Sequence, residues 1–94
     1  MQVIGHYING QVINAEADHG RRQAVFNPAL GQVCAEVVLA DDPQVDQAVA
    51  AAHAAFPAWS ETPALKRARI LFKFKELLER HQSDLAAIIT REHG

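Results

Sequence analysis

One cysteine, five unclustered glycines and no long apolar run set the first limits on this 94-residue chain. A lone Cys34 cannot close an internal disulfide, and the opening MQVIGHYING lacks the basic and apolar regions of an export signal, so a reducing, cytoplasmic setting is expected. Charged residues interrupt every apolar stretch well before the roughly 18 residues that a membrane span requires, so no membrane contact is expected. A formal net charge of -2 supplies no global field that would draw in nucleic acid or anionic lipid. The glycines form no G-x-G-x-x-G, Walker or G-x-S-x-G element, so no loop is expected to cradle a phosphate or present a nucleophilic serine.

What is present reads as an ordinary water-exposed chain, 49% hydrophobic and 21% charged, with room for one small and marginally stable domain. Asn9-Gly10 lies between the short apolar runs of His6 to Ile13, and both residues tolerate the positive φ of a type I′ turn, which predicts a β-hairpin. Residues 14 to 22 have little apolar content and suit an exposed loop. A second hairpin is expected from Ala24-Val25-Phe26, the turn Asn27-Pro28-Ala29-Leu30-Gly31, and the β-rich run Val33 to Leu39. At Asp41-Asp42-Pro43 a short acid followed by proline predicts the start of a helix.

The fold class expected is therefore α+β: two short β-hairpins over 1-40, a first helix over 41-60, and a long helix over 61-94 broken near 81-84. In the first helix Val45, Val49, Ala52, Phe56 and Trp59 share a stripe that should pack, and the alanines around it allow close approach. Pro57 should fall near its end, with Ser60-Glu61-Thr62-Pro63 as a fresh cap and first-turn proline. In the long helix Leu65, Ala68, Ile70, Leu71, Phe72, Phe74, Leu77 and Leu78 spread over about two thirds of the circumference, which calls for cover on more than one side. Ser83 could cap a last helix carrying Leu85, Ile88 and Ile89.

Few residues offer chemistry. Cys34 sits between Val33 and Ala35 in a strand, where a small residue packed on a sheet is favoured over an activated thiolate. His6, His19, His53, His81 and His93 are scattered, and no two have the i,i+4 spacing that would turn both imidazoles toward one zinc ion. Glu92 and His93 are adjacent on a helix and diverge, so they make no acid–base pair. The run Lys66-Arg67-Ala68-Arg69, with Lys73 and Lys75, imitates a nucleic-acid helix, but Phe72 and Phe74 belong to the apolar arc, and a solvated basic face fits better. No catalytic, cofactor-binding or metal-ligating residue is assigned.

The order of YINGQ, VFNPALGQVCAEV, DDPQVDQAVAAAHAAFPAW and LKRARILFKFKELLERHQSDLAAIITREHG resembles the amino-terminal segment of the aldehyde dehydrogenase superfamily across essentially the whole chain. Within it, ILFKFKELLERH and ITREHG are similar to the CoA-acylating methylmalonate-semialdehyde dehydrogenase branch. Leu30 stands where the family's NPATG turn has threonine, a change the turn tolerates because proline and glycine shape it. The resemblance implies that the closing Glu-x-Gly lies inside a longer enzyme, in which a cysteine thiolate attacks the aldehyde, hydride leaves to NAD, and the thioester passes to CoA. The family's nucleophile and cofactor loops match no position in residues 1-94, Cys34 included, so the segment's implied role is scaffolding around the cofactor-binding domain. An isolated chain of this kind should expose apolar surface and form a homo-oligomer, with exchange of the helical half as one route.

Overall fold

The computed structural model describes residues 1–13 and 20–94. Its elements run β1 (Gln2–Ile4), β2 (Tyr7–Ile8), β3 (Gln11–Val12), β4 (Arg22–Asn27), β5 (Gln32–Val38), α1 (Asp42–Glu61), α2 (Ala64–Arg80) and α3 (Gln82–His93). Strands precede helices, and the class is α+β.

The first hairpin forms where its turn chemistry dictates. Asn9 and Gly10 have φ of 54° and 73°, the pair of positive values a type I′ turn requires, and Tyr7 pairs with Val12 and Ile8 with Gln11. In the second hairpin, β4 runs antiparallel to β5. Its turn is closed by Asn27, whose carbonyl accepts from the Gly31 amide at 2.8 Å and whose side chain accepts from the Ala29 amide at 3.0 Å. Gly31, at φ 65°, takes the left-handed position that a side chain would disfavour. Val25 opposes Ala35 and Phe26 opposes Val33, so Cys34 is the extra residue of a β-bulge.

The second hairpin gains a strand that local sequence does not predict, while the first remains a separate two-stranded sheet. β1 pairs in parallel with β5, Gln2 against Ala35 through Ile4 against Val37, giving a mixed sheet of order β1-β5-β4. Three residues beginning at the second position carry no periodicity to detect, and the partner lies more than thirty residues away. Of the exposed loop expected over 14 to 22, residues 14 to 19 fall outside the described part; Arg22 already belongs to β4.

α1 starts at a complete capping box. The Asp41 carboxylate accepts from the Gln44 amide at 2.9 Å, and the Gln44 side chain accepts from the Asp41 amide at 3.0 Å. As expected, Pro57 falls near the helix end, and the helix continues through it to Glu61. The Ser60–Thr62 segment does not cap the next helix. The Ser60 hydroxyl donates back to the Pro57 carbonyl and the Thr62 hydroxyl to the Ala58 carbonyl, both at 2.8 Å, so they serve the end of α1 instead. Pro63 is the residue before α2, without a side-chain cap. The helical run divides at His81, whose ψ of 15° turns the chain, while its amide still donates to the Leu77 carbonyl at 3.0 Å. His81, and not Ser83, precedes α3.

The core is two residues deep. Among the described residues only Ala35 and Val38, each 3% exposed, are buried hydrophobics, and β-strand alternation puts them on opposite faces of the central strand. The hairpin tip of Tyr7 to Gly10 lies over Ala48, Ala51, Ala52 and Ala55 of α1, so alanine does permit the close approach expected of it. The far end of α3 reaches the β4–β5 turn, where a Cβ on Gly94 would stand 3.4 Å from the Pro28 ring. Of the stripe Val45, Val49, Ala52, Phe56 and Trp59, expected to pack, only Ala52 lies under the hairpin tip, and Val45, Val49, Phe56 and Trp59 are exposed. No residue of α2 is buried either, and the described residues do not supply the cover its apolar arc requires.

Candidate functional site

Each chemically capable side chain has a local structural setting. Cys34 is half-buried at the bulge, beside buried Ala35. On its strand, Glu36 meets Arg22 of β4 at 3.4 Å, a partly exposed pair of small energetic weight. His6 lies between β1 and β2. Its carbonyl accepts from the Ile13 amide at 2.8 Å, closing the base of the hairpin, and its buried Nε2 has no hydrogen-bond partner among the described residues. His53 is exposed on α1; His81 stands 3.8 Å from Asp84 at the α2–α3 junction; His93 is exposed at the end of α3 beside half-buried Glu92. His19 lies outside the described residues. Among the described residues, no three His, Cys, Asp or Glu side chains converge on a point where a metal ion could sit.

The geometry around the helix starts does not fit a dinucleotide. The first turn of α1, which follows β5, is already filled by the Asp41 carboxylate, and a pyrophosphate there would meet like charge. α2 follows another helix through Pro63, not a strand and a glycine-rich turn. No described helix is long and apolar enough to cross a membrane.

The basic run resolves into two parts. Lys73 pairs with Glu76 at 3.5 Å, Lys75 with Glu79 at 3.6 Å, and Arg80 with Glu76 at 3.4 Å, so the second half of α2 neutralises most of its own charge. Among the described residues, Lys66, Arg67 and Arg69 have no acidic partner, and the first turn of α2 holds no acid. Three cations near a helix start oppose the dipole there.

The largest feature is apolar. Leu65, Leu71, Phe72 and Phe74 of α2 are all more than half exposed. Where α2 meets α3, Leu78, Glu79, Gln82, Leu85, Ala86 and Ile89 line an open groove. Sequence periodicity identifies the apolar arc of α2, but not that the arc continues across His81 into α3, because the turn at that residue is a backbone property that its side chain does not announce.

Comparisons with known proteins agree with this architecture. A chain from Oceanimonas doudoroffii, a methylmalonate-semialdehyde dehydrogenase of known crystal structure, matches all of this chain at 49% identity with a TM-score of 0.92. A Sinorhizobium meliloti 1021 protein assigned to the same activity, crystallised with NAD, matches at 40% identity and a TM-score of 0.92; in both, the match covers 19% of the longer chain. The malonate-semialdehyde dehydrogenase of Pseudomonas aeruginosa is 45% identical over 94 residues, and that of Bacillus pumilus 46%. The chain spans about a fifth of the length of these relatives, 18% and 19% in the two cases. The profile of the "Aldehyde dehydrogenase family" matches residues 15–94. The chain belongs to the aldehyde dehydrogenase family and corresponds to its amino-terminal part.

Proposed function

We propose that this chain is the amino-terminal scaffold of an NAD-dependent, CoA-acylating semialdehyde dehydrogenase of the methylmalonate type, and that residues 1–94 are themselves catalytically inert. The observation that carries the reading is the full-length match of this chain to one fifth of such enzymes, at 49% identity and a TM-score of 0.92. Cys34 supports inertness because it is half-buried at a strand bulge, whereas a nucleophilic thiolate needs an electropositive, accessible setting. The described residues supply neither a phosphate-cradling turn nor a convergent acid–base pair. NAD and CoA chemistry therefore belongs to other parts of the longer enzyme.

Two assays test the reading separately. Mixed with methylmalonate semialdehyde, NAD and CoA, the 94-residue chain should generate no NADH above blank; turnover would overturn the inertness. A chimera in which this chain replaces the first 94 residues of the Oceanimonas enzyme should still form NADH in a CoA-dependent manner. A chimera that assembles like its parent but has lost this reaction would overturn the scaffold assignment. The second reading, an interaction module that associates with itself or with a full-length paralogue, is favoured by one observation, the uncovered apolar faces of α1 and α2.

A further inference from the structure

We draw no further inference here: the strongest candidate, the open apolar groove at the α2–α3 junction lined by Leu78, Leu85, Ala86 and Ile89, carries nothing because nothing in the structure shows what covers it.

Discussion

Asp41 and Gly10 are where single side chains decide local structure. Asp41 and Gln44 satisfy two amides that the start of α1 would otherwise leave open. Replacing Asp41 by alanine should lower stability by about 1 kcal/mol, read as a drop in the urea midpoint of the helical circular dichroism signal. Gln44→Ala removes only the reciprocal bond and should cost less. Gly10 has φ 73°, and a Cβ added there would meet nothing within 4 Å, so any penalty is purely backbone. Gly10→Val should therefore destabilise by about 1–2 kcal/mol, while Asn9→Gly should be close to neutral. Equal effects at both positions would contradict the type I′ geometry. These features were legible in the sequence because they are local: Asn-Gly and Asp-x-Pro act on the residues beside them. Ser60, Thr62 and Ser83 are equally capable of capping, and only the path of the chain shows that the first two donate back into α1 and that His81 takes the place expected of Ser83.

Among the elements, the hairpins and helices could be read from turn chemistry and apolar spacing, but their pairing could not. β1 is three residues long, and only its parallel register with β5 makes it a strand. The bulge at Cys34 is likewise a property of two strands aligned, and one strand alone gives no sign of it. Pro57 shows how a breaker can be overruled. It removes the amide that would bond to the His53 carbonyl, yet α1 continues for four residues, and the hydroxyls of Ser60 and Thr62 satisfy carbonyls in its last turn. Because proline late in a helix still costs free energy, Pro57→Ala should raise stability by about 1–3 kcal/mol and increase helical ellipticity. An unchanged midpoint would mean that the last turn of α1 is held by something other than its own hydrogen bonds.

For the whole molecule, the measure is how little the chain encloses. A compact chain of this length has a radius of gyration of about 12 Å, whereas this one has 16.9 Å and extents of 47 × 34 × 17 Å. Two buried hydrophobic residues cannot offset the conformational entropy of ordering three helices, so the arrangement shared with the longer dehydrogenases needs cover from outside. If a second copy supplies it, folding and association are one equilibrium, and stability depends on protein concentration. Each tenfold increase in chain concentration should then add about 1.4 kcal/mol per mole of dimer, visible as a steady rise of the thermal midpoint with concentration. A midpoint independent of concentration in the unmodified chain would show that the three helices are held by contacts within one copy.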